Sequence, residues 1–372
     1  MRPLLRPILT ETKISSISRA MSLSRGQVLP GARWDYSVIE PLRGDGTHTS
    51  TAFKARIVPK RHGFDVPQWS APCIKHIGIR MLILSLRAVI KYAPSGKEVA
   101  RENLKREWET YSHPSIASSA CFRKLYDLIG DPTAFENDTS ASPCLALEWL
   151  DSTFADALPE LNRRTYILIT AIVETIMTSC ISFGEVGLVN TDTKPANILL
   201  SGMGTDDPVV KIADLGLTFT DGSRCKVQPY AMRAPEVFRG LPFIDRSQVW
   251  ACAAMLLCWL KPGILGAADM DADFLKNTWC IAKLRRLFPD WNDPPVEDNV
   301  HSREFTLSKR IAEEPGLIRI SSLEDEMRGM HLLPVLKDLL SLMLVVNPDK
   351  RPSAAQVLAS QQFQSLKESL VV

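Results

Sequence analysis

The run Val189-Asn-Thr-Asp-Thr-Lys-Pro-Ala-Asn-Ile-Leu-Leu200 gathers an acid, a lysine and an amide, Asp192, Lys194 and Asn197, into one short stretch. Phosphoryl transfer needs that set of groups. The acid orients a hydroxyl and accepts its proton, the ammonium neutralises the moving phosphoryl group, and the amide oxygen holds a metal. Alone, the run would read as a polar turn between a helix and a strand, so its weight rests on what surrounds it.

The surrounding elements suit such a site. Ahead of the run, Ile167, Ile169, Ile172, Val173, Ile176, Met177 and Ile181 recur at helical spacing and predict a core helix over 162–183. Earlier, from Trp34, the sequence breaks into short β-prone pieces, with a helix predicted over 95–111 from the stripe Leu104, Trp108 and Tyr111. Cys121 to Ile129 and Cys144 to Leu150 read as strands. Later, Ser247 to Leu260 is apolar nearly all round, the pattern of a central buried helix. Helical stretches over 272–288 and 332–344 follow. The fold class is α+β, β-rich first and helical second.

With 45% hydrophobic and 23% charged residues the chain reads as globular with a substantial core. A formal net charge of +2 gives no strong pull towards nucleic acid or a membrane surface. No apolar run is expected to be long enough to cross a bilayer. The eight cysteines form no Cys-x-x-Cys pair and the six histidines no ligand cluster, so reduced thiols in an intracellular, cytoplasmic or nuclear, protein are expected. Residues 1–33 carry six Lys and Arg against the single acid Glu11, a composition that suits either a mitochondrial presequence or a disordered basic tail; a start at Met21 is a further alternative.

Four motifs follow one another in order: Asp-x-Lys-x-x-Asn at 192–197, Asp-Leu-Gly at 214–216, Ala-Pro-Glu at 234–236, and a late arginine, Arg351, in Asn347-Pro-Asp-Lys-Arg-Pro352. On these the chain resembles the eukaryotic protein kinase superfamily. Val-Asn-Thr-Asp-x-Lys-Pro-Ala-Asn-Ile-Leu and Gln-Pro-Tyr-Ala-Met-Arg-Ala-Pro-Glu look like those of a divergent group of fungal kinase-like proteins.

The resemblance implies a bilobal kinase-like domain over 34–367, with a small β-rich N-lobe (34–146), a hinge (147–151) and a larger α-helical C-lobe (152–367). It implies ATP and Mg²⁺ and a protein substrate carrying serine or threonine hydroxyls. Asp192 and Lys194 take the catalytic roles, and Asn197 with Asp214 the metal. Gly44 and Gly46 mark the phosphate-covering hairpin, although Thr49 or Ser50 replaces its usual third glycine.

For the nucleotide lysine, Lys75 and Lys91 both fit. Lys91 is preferred because the following helix offers Glu107 after a gap short enough for a strand-to-helix link. Glu107 competes with Glu102 and Glu109 for the partnership. Ala71 to about Arg87 then becomes an insertion. Leu147 would back the adenine pocket, with main-chain groups from Glu148 to Leu150 on the adenine edge. Glu236 and Arg351 would form a buried structural pair.

Three departures weaken the match. Asn190-Thr191 stands where His-Arg usually precedes the acid, Gln248 replaces a bracing aspartate, and the threonine before Ala-Pro-Glu is missing. They support an alternative, a pseudokinase that binds ATP or only a partner and works as a scaffold. A small-molecule kinase is disfavoured by the Ala-Pro-Glu.

Overall fold

The computed structural model of the chain describes residues 23–42, 51–60, 86–94, 96–136, 143–291 and 299–370. Gly44, Gly46 and all of the expected insertion except Leu86 and Arg87 lie outside them, as do residues 1–22.

The first lobe is a six-stranded antiparallel sheet. Its strands are β1 (Val28–Pro30), β2 (Asp35–Pro41), β3 (Thr51–Val58), β4 (Arg87–Tyr92), β5 (Leu125–Ile129) and β6 (Cys144–Glu148), in the order β1-β2-β3-β4-β6-β5. Alternation along β4 divides its residues between two environments. Ala88, Ile90 and Tyr92 join an outer core with Tyr36, Val38, Ala55 and Ile57, while Val89 packs into the core shared with the rest of the molecule. Lys91 therefore points to the same side as Val89. Arg87 opens this strand and Leu86 is buried, so neither belongs to the expected insertion.

The boundary at Trp34 is also corrected. Val28–Pro30 is an edge strand paired with Asp35–Ser37, and Leu29 is buried. What holds it is a buried acid. Asp127 on β5 accepts from the Tyr36 hydroxyl at 2.6 Å and from the Arg33 amide at 3.2 Å. A Cβ on Gly31 would lie 2.6 Å from the same carboxylate, so the chain passes there only as glycine. The basic composition of the segment concealed this role.

Helix α1 (Glu98–Ser112) packs beneath the sheet, followed by the short α2 (Pro114–Ser118). The second lobe is built on two helices. The first, α3 (Arg163–Gly184), starts where the Asn162 side chain accepts from the Thr165 amide at 3.0 Å. By length and composition it is apolar enough to cross a membrane, contrary to the expectation that no run is. Its Ile169, Ile172, Val173 and Met177 are nonetheless fully buried in protein, and Phe183 stacks edge-on with Phe122. The second, α4 after the one-turn Pro235–Phe238 segment, spans Asp245–Leu260 with residues 247–257 all buried. It is hydrophobic all round because protein surrounds it. Around it lie α5 (Lys276–Leu287), α6 (Asn299–Glu313), α7 (Leu323–Arg328), α8 (Pro334–Met343), α9 (Ala354–Ala359) and α10 (Gln361–Glu368).

Arg351 and Glu236 meet inside this lobe, fully buried, at 2.8 and 2.9 Å in a two-pronged pair, and the Ser247 hydroxyl donates to the same carboxylate at 2.6 Å. Tyr36→Phe should lower unfolding free energy by about 1.5–3 kcal/mol, the range for a hydrogen bond to a charged group. Urea denaturation measures it, and a change within roughly 0.5 kcal/mol would show that the edge strand is not held through Asp127.

Candidate active site

The run that opened the sequence analysis lies between two small antiparallel pairs. β8 (Leu188–Asn190) pairs with β11 (Thr218–Thr220), and β9 (Ile198–Ser201) pairs with β10 (Val209–Ile212), which leads to Asp214. β7 (Ser152–Thr153) extends the second pair. Pro195–Asn197 forms a single 3₁₀ turn that swings Asn197 back over Asp192. The Asn197 amide nitrogen donates to both the main-chain oxygen and Oδ2 of Asp192 at 2.8 Å, and Lys194 Nζ lies 3.2 Å from that Oδ2. The Ala213 amide donates to Asn197 O at 2.9 Å, which fixes Asp214 beside this cluster.

Across the cleft, Lys91 Nζ reaches both Glu107 Oε2 and Asp214 Oδ1 at 2.6 Å. Glu107 is the partner because it lies on the buried stripe of α1 with Ala100, Leu104 and Tyr111, whereas Glu102 and Glu109 are exposed. Burial opposes the charge on Lys91, but Asp214 and Glu107 outweigh it, and the ammonium is held above the ordinary lysine range. Burial pushes Glu107 up while Lys91 pulls it down. At Asp192 burial also wins: its carboxyl sits above the usual aspartate range, with Lys194 pulling it back and Asp214 adding to the rise.

These groups line or adjoin one cavity of about 450 Å³, walled by Ala52, Val89, Lys91, Leu150, Asn197 and Asp214 among others. A larger groove of about 850 Å³ at the base of the second lobe runs past Arg239, Trp291 and Lys350 and carries no such constellation. Asn197 and Asp214 suit a hard octahedral cation. The Asn197 nitrogen is committed to Asp192, which leaves its oxygen as the metal-binding end, and Asp214 supplies a carboxylate on the same wall. Among the described residues no cluster of three or more His, Cys, Asp or Glu could hold a metal by itself. Phosphate oxygens and water would complete the shell.

Two expectations at the hinge are corrected. Leu147 is fully buried in the core instead of forming the cavity wall. Glu148 is occupied on every side. Its amide donates to Lys124 O at 2.9 Å, its carbonyl accepts from Arg123 Nε at 2.6 Å, and its carboxylate forms a buried pair with Lys211 at 2.6 and 2.8 Å. The reason is that β6 has neighbours on both edges until the chain leaves the sheet at Trp149, so Trp149, Leu150 and Asp151 line the cavity instead.

Sequence reasoning missed Arg123 and Lys211. Lys211 had a signal, since a lysine between Val210 and Ile212 on a buried strand needs a buried acid. The bracing thought lost is present in another form. Gln248 Oε1 accepts from the Asn190 amide at 2.9 Å, Asn190 Oδ1 accepts from the Asp192 amide at 3.0 Å, and the Thr191 hydroxyl donates to Leu217 O at 2.7 Å.

A fold of this kind around such a site is that of a protein kinase. The protein kinase domain family matches residues 99–363, and the chain belongs to it. The match starts after Lys91, so that lysine is placed by geometry alone. The chain is 26% identical over 264 residues to homeodomain-interacting protein kinase 1 of Caenorhabditis elegans, covering 59% of this chain and 31% of that one. It is 25% identical over 183 residues to the stress-activated protein kinase JNK of Drosophila melanogaster, covering 46% of each. Over 185 residues it is 25% identical to a probable dual specificity protein kinase YAK1 homolog of Encephalitozoon cuniculi, covering 47% and 45%. The chain spans less than half the length of each of these relatives.

Asp214 adopts a left-handed conformation (φ 58°), and two residues later a Cβ on Gly216 would meet the Asn103 carbonyl of α1 at 2.9 Å. Gly216→Ala should therefore push α1 away and separate Glu107 from Lys91. We expect nucleotide affinity to fall roughly tenfold or more, with Gly204→Ala, where the space is open, as the unchanged control. Equal affinities by calorimetric titration would contradict the close-approach argument.

Proposed function

We propose that the chain transfers the γ-phosphoryl group of ATP to serine or threonine hydroxyls of a protein substrate. The observation that carries this is that Lys91, Glu107, Asn197 and Asp214 line one cavity, with Asp192 bonded to Asn197 and paired with Lys194 beside it. Asp192 orients the acceptor hydroxyl and takes its proton as the oxygen attacks the γ-phosphorus. The bond to the β–γ bridging oxygen breaks and ADP leaves. A positioned base of this sort contributes roughly 10²–10⁴-fold. Lys194 neutralises charge on the phosphoryl group in transit, and Lys91, held by Glu107, fixes the α- and β-phosphates. Asn197 and Asp214 would hold Mg²⁺, which when bound neutralises the polyphosphate. Leu150, with the main chain from Trp149 to Asp151, positions the base. The relatives' names, each a protein kinase, support a protein acceptor.

Phosphate transfer to a mixed protein substrate from labelled ATP tests the reading, with Asp192→Asn as control. Transfer should drop by about 10²-fold or more in the variant. Nucleotide binding without transfer in the wild type would favour the scaffolding alternative. The pH profile gives a second test. Asp192 acts only when ionised, so the rate should rise with pH through a midpoint above the ordinary aspartate range. Because Lys194 holds that carboxyl down, Lys194→Met should move the midpoint further up. A midpoint at or below the ordinary range, unmoved by the substitution, would remove Asp192 from the role of base.

A further inference from the structure

We propose that Arg123 is a positioning residue for phosphoryl transfer, the standing counterion that keeps Glu107 in place when the Lys91 ammonium turns to the nucleotide phosphates. The inference rests on reading the cavity as the nucleotide site. Arg123 lines that cavity beside Lys91 and Glu107. Its amide donates to Ile212 O at 2.9 Å and its Nε to Glu148 O at 2.6 Å, so the residue is fixed between β10 and the end of β6. Burial opposes the charge of this guanidinium, while Tyr111, Glu107 and Glu148 favour it. Arg123 in turn joins Lys91 in favouring the Glu107 carboxylate against its burial.

The need for a second cation follows from the charges at and behind this corner of the cavity. Three carboxylates, Glu107, Glu148 and Asp214, stand with three cations, Lys91, Lys211 and Arg123. Lys211 is committed to Glu148 at 2.6 and 2.8 Å, and the Lys91 ammonium is divided between Glu107 and Asp214 at 2.6 Å each. Without Arg123 the set would carry one uncompensated negative charge beside Glu107, which is only 1% exposed. An unpaired charge at that depth is costly. The imbalance grows when phosphates take a share of the Lys91 ammonium. Tyr111, one turn along α1, does not fill the gap, because its buried hydroxyl has no hydrogen-bond partner among the described residues. Arg123 stays charged throughout, and its action on the phosphates runs through Glu107 and Lys91.

Calorimetric titration of the full chain with Mg·ATP tests this, using Arg123→Gln, Arg123→Lys, Glu107→Gln and the Arg123→Gln/Glu107→Gln double variant, each checked for folding by thermal unfolding. Arg123→Gln keeps a donor for the Glu148 carbonyl and drops the charge; it should weaken binding about tenfold. Arg123→Lys keeps the charge and should stay within about threefold of the wild type. In the Glu107→Gln background, where no carboxylate needs a counterion, Arg123→Gln should change affinity by less than about threefold. The same loss in both backgrounds would leave Arg123 a packing role only, and would overturn the proposal while the nucleotide site stands. So would no loss in Arg123→Gln, or a tenfold loss in folded Arg123→Lys. Absence of Mg·ATP binding by the wild type would overturn the site reading itself, and the proposal with it. If Arg123→Gln does not fold, Arg123→Met carries the same comparison, and if neither folds, Arg123→Lys decides.

Discussion

One ammonium shared between the buried carboxylate of Glu107 and the half-buried carboxylate of Asp214 holds the site together. Lys91 comes from the sheet, Glu107 from α1 and Asp214 from the turn that begins the long segment of the second lobe. Three elements are tied at one atom. A buried carboxylate left without its cation is costly, so each partner depends on the other two. The neighbouring sequence serves this requirement. Gly216 lets α1 approach the turn, Arg106 on α1 donates to the Gly216 carbonyl at 2.6 Å, and its guanidinium lies over Phe219.

From that turn to Glu236 the chain is secured by local polar contacts at successive points. Thr191 and β8 hold its start. Gly222 and Ser223 exchange main-chain hydrogen bonds with Phe243 at 3.1 Å, and Arg233 captures the carbonyl of Gln228, itself in a left-handed conformation (φ 66°). The Glu236–Arg351 pair anchors its end. In many kinases an arginine before the catalytic acid gathers a phosphate in this segment; here Thr191 occupies that position and bonds to the segment directly. The Glu148–Lys211 pair joins the end of β6 to β10 by buried charge.

Much of this was legible because periodicity reports burial. The stripe Leu104, Trp108, Tyr111 placed α1, and the spacing from Lys91 to Glu107 selected the pair that the structure brings to 2.6 Å. The run from Ser247 to Leu260, apolar nearly all round, announced the central helix. What escaped were contacts between residues far apart in sequence. Nothing near Arg123 indicates that it reaches the Glu148 carbonyl, and nothing near Gln248 indicates the Asn190 amide. Val28–Pro30 escaped for another reason: its pairing depends on Asp127, about a hundred residues later, while its own basic composition suggested an unstructured tail. The apolar spacing of α3 was read as a core helix, which it is, although its length and composition alone would also suit a membrane span.

The most direct test of the central claim is a double-mutant cycle on Lys91→Met and Glu107→Gln, read as unfolding free energy in urea. If the shared ammonium couples the lobes, the double variant should be less destabilised than the sum of the singles, by roughly 0.5–3 kcal/mol. Additivity within about 0.5 kcal/mol would mean that the two side chains lie close without depending on each other, and would contradict the account.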